Sequence, residues 1–182
     1  MLMQAVVLLF VLQSCLSASA SDDELAECPR GSIVKVTQSH GRVTKVVAEV
    51  HKQDLGTGSE PTAKIRKFKD ENGCESDDAG HIIANRLGGC GNEPANIFPQ
   101  DPHVNRGEFR SVENKVANAV EELSNNKDYI RYTVELKYVS ATKTRPFLVN
   151  YRIERVEEGK KPVQIARSWV PNPKGKQCAR TA

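Results

Sequence analysis

Two stretches early in the chain, Ile33 to Gln38 and Arg42 to His51, alternate apolar and polar positions or run in β-branched residues. Side chains of a strand point alternately to its two faces, so both stretches predict strands. The turn residues Ser39-His40-Gly41 between them make the pair a hairpin. Asp54 to Pro61, rich in Gly, Ser, Thr and Pro, predicts a loop. From Asp70 to Pro102 the chain is dense in Gly, Asn, Asp and Pro, with one brief apolar break at Ile82, Ile83 and Ala84. So long an irregular stretch inside a compact domain is uncommon unless it builds a site or is pinned covalently. The periodicity then changes. Phe109, Val112, Val116, Ala119, Val120 and Leu123 recur at helical spacing, and Asn105 with Glu108 resembles a capping box, which predicts a helix from Arg106 to Ser124. Beyond Asn125-Asn126-Lys127, alternation returns in Ile130 to Tyr138 and in Phe147 to Ile153, and Val163 to Val170 supplies a short strand stopped by Pro171-Asn172-Pro173. Trp169 is expected in the core of that strand. The pattern is that of an α+β fold: a mostly antiparallel sheet, one long helix and a polar finger between them.

Composition adds a compartment. The first 20 residues carry no charged side chain, run apolar from Ala5 to Leu12, and end in small residues at Ala18 and Ala20. This predicts a secretory signal peptide cleaved after Ala20, with an apolar core shorter than the roughly 20 residues of a membrane span. Residues 21–182 then form one secreted, extracellular domain, expected to have no membrane contact and no obligate protein partner. Cys15 leaves with the signal, while Cys28, Cys74, Cys90 and Cys178 remain. An even number in an oxidising compartment predicts two disulfides, in any of three pairings. Cys74 with Cys90 is preferred because the two bracket one short segment, leaving Cys28 and Cys178 to tie the ends together. No pair has the short spacing that structural zinc sites favour. The net charge of +3 is too small to name a polyanionic partner by itself. Taken alone, the clusters Lys64, Arg66, Lys67, Lys69 and Lys143, Arg145, Arg152, Arg155 read as solvated faces.

The segment from Asp77 to Val116 concentrates the candidate chemistry. It places His81 in a Gly-flanked polar loop, Asn105 at the mouth of the helix and Glu113 inside it. Phosphodiester hydrolysis needs a base for water, a hard cation on the phosphate oxygens and a means of neutralising developing charge. His81 suits the first role because an unperturbed imidazole titrates at about 6.5. Asn105 suits the second, offering the neutral oxygen that magnesium accepts. Glu113 lies two turns on, and helical side chains lean toward the N-terminus, so it can approach the same region. The bland alternatives are a helix cap for Asn105, an ion pair for Glu113, and turn residues for Asp77 and Asp78. Gly80, Gly88, Gly89 and Gly91 need only permit positive φ.

Four strings in this segment carry a resemblance: Asp78-Ala79-Gly80-His81-Ile82-Ile83, Leu87-Gly88-Gly89-Cys90-Gly91, Asn96-Ile97-Phe98-Pro99, and Asn105-Arg106-Gly107-Glu108-Phe109 followed by Glu113. Together they resemble the DNA/RNA non-specific endonucleases of the His-Me finger (ββα-metal) superfamily, in particular its secreted branch. The resemblance implies a ββα-metal finger in which His81 activates water, Asn105 ligates Mg²⁺ (with Mn²⁺ as a substitute) and Glu113 orients a water of the ion or the helix itself. It further implies that Asp78 braces the histidine loop through backbone amides, and that Asn96 fixes the loop before the helix. Ala79 departs from the pattern, because many relatives carry a phosphate-contacting arginine there. Arg86, Arg106 and Arg66, in that order, are the candidates to supply the missing charge.

The expected activity is endonucleolytic hydrolysis of DNA and RNA, recognised through phosphates rather than base edges. The alternative is a catalytically weak extracellular protein of the same fold that binds nucleic acid or another polyanion, which Ala79 permits. A secreted toxin or inhibitor acting on protein would leave the spacing from Asp78 to Glu113 unexplained.

Overall fold

The computed structural model describes residues 32–174. Its frame is a five-stranded antiparallel sheet in the order β1-β2-β5-β6-β7, formed by β1 (Ile33–Ser39), β2 (Arg42–Val50), β5 (Tyr129–Lys137), β6 (Leu148–Val156) and β7 (Val163–Pro171). A separate two-stranded ribbon pairs β3 (Asp78–His81) with β4 (Ile97–Gln100). The expected α+β class with a mostly antiparallel sheet is the one observed. The β1–β2 hairpin turns where expected, with φ of 52° at His40 and 71° at Gly41. Two successive positive φ values match the right-handed twist of the strands they join.

Helix α1 (Ala63–Asn72) was not foreseen. Thr62 caps it by accepting from the Ile65 amide, yet among its residues only Ile65 and Lys69 are buried, so it carries almost no apolar stripe. The long helix also starts differently. Asp101 is the cap, its carboxylate accepting from the amides of His103 and Val104, and Pro102 begins a single turn α2 (Pro102–Val104). A π-helical turn (Asn105–Phe109) then leads into α3 (Arg110–Glu121). The expected capping box at Asn105 is therefore corrected. Asn105 already has helical φ and ψ, and its side chain is free of capping duty.

Val112, Val116, Ala117, Ala119 and Val120 of α3 pack on one face of the sheet, against Val46, Ala48 and Val50 of β2, Ile130, Tyr132 and Val134 of β5, and Val149 and Ile153 of β6. Phe109, wholly buried, meets Phe98 of β4 edge to face at 6.1 Å, which joins the ribbon to this core. Such aromatic pairs add about 1 kcal/mol beyond the area they bury.

Trp169 is the clearest correction on the sheet, being 59% exposed. The register slips by one residue between Ile153↔Ala166 and Glu154↔Gln164, so Ile165 is an extra residue in β7. One inserted residue flips the parity of everything after it. Trp169 stands opposite Asn150 on the face away from α3, while Val170 opposite Val149 is the buried one. No helix among the described residues is long and apolar enough to cross a membrane.

Candidate active site

Glycine packing places the first catalytic candidate. The segment 56–59 lies along 85–91, with Gly56, Gly58 and Ser59 donating to the carbonyls of Arg86, Asn85 and Gly89, and Gly91 donating back to the Ser59 hydroxyl. A Cβ on Gly89 would sit 1.7 Å from the Ile83 carbonyl oxygen, on Gly58 2.3 Å from that of Gly89, and on Gly91 2.3 Å from Glu60. Close approach, rather than φ, demands glycine at all three; only Gly88 has the positive φ, 86°, that the sequence suggested for the group.

This packing brings the Ser59 carbonyl to 2.9 Å from Nε2 of His81, at the end of β3. A carbonyl can only accept, so Nε2 carries the proton and Nδ1 presents its lone pair. Burial lowers the imidazole pKa, opposed by the Ser59 hydrogen bond and the charge of Glu60. The ring is therefore held neutral, in one tautomer, with a carbonyl and a carboxylate placed to favour the cation it becomes on taking a proton. Glu60 is itself tied to the Asn85 side-chain amide.

Asp78, at the other end of β3, organises the helix mouth. One carboxylate oxygen accepts from Asn105 Nδ2 at 2.9 Å, and both accept from Arg106, at 2.9 and 2.7 Å. The expectation that Asp78 braces the loop through backbone amides is thus corrected: it clamps two side chains of the following helix. Because the amide nitrogen of Asn105 is engaged, its orientation is set, and Oδ1 is left without a partner among the described residues. His81 follows Asp78 by three residues of strand, roughly 10 Å, and the described residues show no direct hydrogen bond between it and Asn105.

Glu113 lies on the first turn of α3, half-buried, and burial pushes its carboxyl up to about 7, with Arg86 and Arg110 opposing. Arg86 is exposed and donates to Asn114 Oδ1. Arg106 is also exposed but already spends its guanidinium on Asp78, while Arg66 is exposed on α1. Asn96 is buried and clips the loop ahead of β4: its Oδ1 accepts from the Ile83 amide at 2.9 Å, and its Nδ2 donates to the carbonyls of Ile83 and Cys90.

Several contributors escaped the sequence reading. Arg110, Ser59 and Glu60 touch the site electrostatically or by hydrogen bond, and nothing in their local pattern marks them. Asp77, read as a turn residue, forms a buried ion pair with Arg145 through two contacts of 2.7 and 2.9 Å. Arg145 was grouped with a solvated face.

Cys74 and Cys90 are both buried and both disulfide-bonded. Cys74 follows Gly73, which packs on Pro99, whereas the Cys90 carbonyl binds Asn96. Cys28 and Cys178, like the expected signal peptide, fall outside the described residues.

A ribbon delivering a histidine, followed by a helix delivering an asparagine, defines a ββα-metal finger. A family model described as DNA/RNA non-specific endonuclease matches residues 27–155, and the chain belongs to that family. The probable deoxyribonuclease RhsA of Dickeya dadantii (strain 3937) is 38% identical over 106 residues, 58% of this chain but only 6% of that protein's length. Among solved structures, NucA from Streptococcus agalactiae with no metal bound has a TM-score of 0.54 at 17% identity, covering 77% of this chain and 70% of its own. An extracellular endonuclease gives 0.56 at 12%, covering 78% and 79%. At these identities the likeness speaks for the fold.

Proposed function

We propose that the chain is a secreted endonuclease that hydrolyses phosphodiesters in both DNA and RNA, with His81 as general base and a single divalent cation, Mg²⁺ or in its place Mn²⁺, at Asn105. The observation that carries this reading is the hydrogen bond from His81 Nε2 to Ser59, which leaves Nδ1 as the only proton acceptor of the ring. Nδ1 takes a proton from water as its oxygen attacks phosphorus, one ester P–O bond breaks, the departing sugar oxygen takes a proton from solvent, and the Ser59 carbonyl and Glu60 stabilise the resulting imidazolium. Asn105 Oδ1 fits a hard cation, being a neutral oxygen of fixed direction with no other partner among the described residues. Such an ion supplies positive charge at the phosphate oxygens. Asp78 holds Asn105 in that direction, and Glu113 contributes a carboxyl whose charge is set by pH. Arg86, exposed beside Glu113, is placed to take over the phosphate contact that Ala79 cannot make, with Arg106 behind it because Asp78 already claims its charge.

The test is digestion of plasmid and of RNA with Mg²⁺, with EDTA, and with His81→Ala or Asn105→Ala. Cutting of both substrates that EDTA and either substitution abolish supports the enzyme. Ala79 favours one other reading, a binder of nucleic acid that cuts feebly; undiminished binding with no cutting under any divalent metal would select it.

A further inference from the structure

The face of the sheet turned away from α3 has no layer over it among the described residues, and its chemistry is uneven. Lys45, Thr133, Glu135, Asn150, Arg152, Arg167 and Trp169 line a shallow recess of about 530 Å³. Arg152 and Arg167 are direct partners across β6 and β7. Like charges in that relation repel. Arg152 is relieved by Glu154 at 3.3 Å and Lys45 by Glu135 at 3.5 Å, but Arg167 has no ion-pair partner among the described residues. Two positions along, Trp169 is 59% exposed, opposite Asn150. A pair of facing guanidiniums beside an open indole is an arrangement that a polyanion carrying flat rings satisfies on both counts.

We propose that this recess is a second nucleic-acid contact, in which a single strand stacks a base on Trp169 and sets its phosphates against Arg167 and Arg152. It rests on the nuclease reading for the choice of nucleic acid as the ligand, and it lies across the sheet from the finger. A strand held there is kept near the enzyme between cuts and is not itself cleaved at that place.

Trp169 is the only tryptophan in the chain, so intrinsic fluorescence reports on this recess alone. The protein carrying His81→Ala, in EDTA, is titrated with an oligothymidylate, following tryptophan emission and, through a label on the oligonucleotide, anisotropy. The expected result is a saturable change in emission that weakens with salt and whose midpoint moves at least about tenfold when Arg152 and Arg167 are both replaced by Ala. Anisotropy showing a bound oligonucleotide while emission stays constant overturns the proposal. So does an emission change that follows protein concentration without oligonucleotide, which would assign the face to a second copy of the chain. Wild-type protein assayed on plasmid in parallel separates the two ideas: cutting without an emission change sinks this inference alone, and no cutting sinks the nuclease reading whatever the emission does.

Discussion

Replacing Glu113 with Gln should stabilise the protein in neutral solution and leave it nearly unchanged in acid. The carboxyl titrates near 4.5 in an unfolded chain and at about 7 in the folded one, raised by burial. Between those values the native state holds a proton that the unfolded state has released, so stability falls as pH rises. The burden is absent below the unfolded value and complete once pH has passed the folded one. At 1.36 kcal/mol per unit, a shift of this size corresponds to about 3 kcal/mol, and the partial exposure of the side chain reduces it to about 2 kcal/mol. Glutamine keeps the shape and hydrogen-bonding capacity of the protonated acid without titrating. Urea unfolding in EDTA, run from about pH 4 to about pH 8, should show the two proteins equal at the acid end and Glu113→Gln ahead by about 2 kcal/mol at the other. A difference that does not vary with pH, or wild type being the more stable at pH 8, would refute the reasoning. The latter would mean that Arg86 and Arg110 stabilise the ionised carboxylate by more than burial costs it.

Three further outcomes follow from the same contacts. His81 is lowered by burial, and a base works when neutral, so the acid limb of kcat/KM should fall below pH 6.5, measured with Glu113→Gln in place to remove the second titration; a limb centred above that value would remove His81 from the role. Asp78→Ala releases both Asn105 and Arg106, and the plasmid-cutting rate should drop by about 10- to 100-fold with little change in Tm, as for other residues that orient a ligand; an unchanged rate would show that Asn105 needs no clamp. Gly89→Ala meets backbone at 1.7 Å, which no side-chain movement relieves, whereas Gly107→Ala meets nothing within 4 Å; denaturation should show a loss of more than about 3 kcal/mol for the first and a gain of about 0.5–1 kcal/mol for the second.

Strands β2, β5 and β6 were legible because each buries one face, and burial writes a period of two into the sequence, whereas the exposed β1 was legible from its β-branched residues and the turn that follows. Helix α3 was legible for the corresponding reason at helical period. Helix α1 was not, since a surface helix with so few buried side chains leaves no stripe to read. The ribbon strands are four residues each and contain Gly80 and Pro99, too short and too unlike strands to show alternation. On β7 alternation was present but misleading. Val163, Ile165 and Trp169 share sequence parity, yet the extra residue at Ile165 sends Trp169 to the other side. Of the site, the residues that belong to contiguous strings were legible as a resemblance. Their partners were not, because Ser59, Glu60 and Arg145 reach the finger from distant segments, and no local rule records a long-range hydrogen bond.

A two-stranded ribbon this short has little stability of its own in water, so the geometry at His81 and Asn105 depends on what grips the ribbon from outside. Asn96 grips the loop side by three hydrogen bonds to backbone. The opposite side is held by Arg145, whose guanidinium binds Asp77 just ahead of β3 and also donates to the carbonyls of Asn172 and Pro173. Asn172 in turn donates to the carbonyls of Pro99 and Pro146 and accepts from the amide of Asp101, the residue that caps the helix. Apart from the exposed Pro173 these groups are buried or nearly so, and loss of one partner would leave others unsatisfied at about 1–3 kcal/mol each. The match to the endonuclease family ends at residue 155, yet Asn172 lies beyond it and touches both the ribbon and the helix cap. The residue just past the last strand is therefore part of what holds the ribbon, because one side chain joins the end of β4 to the residue that caps the following helix.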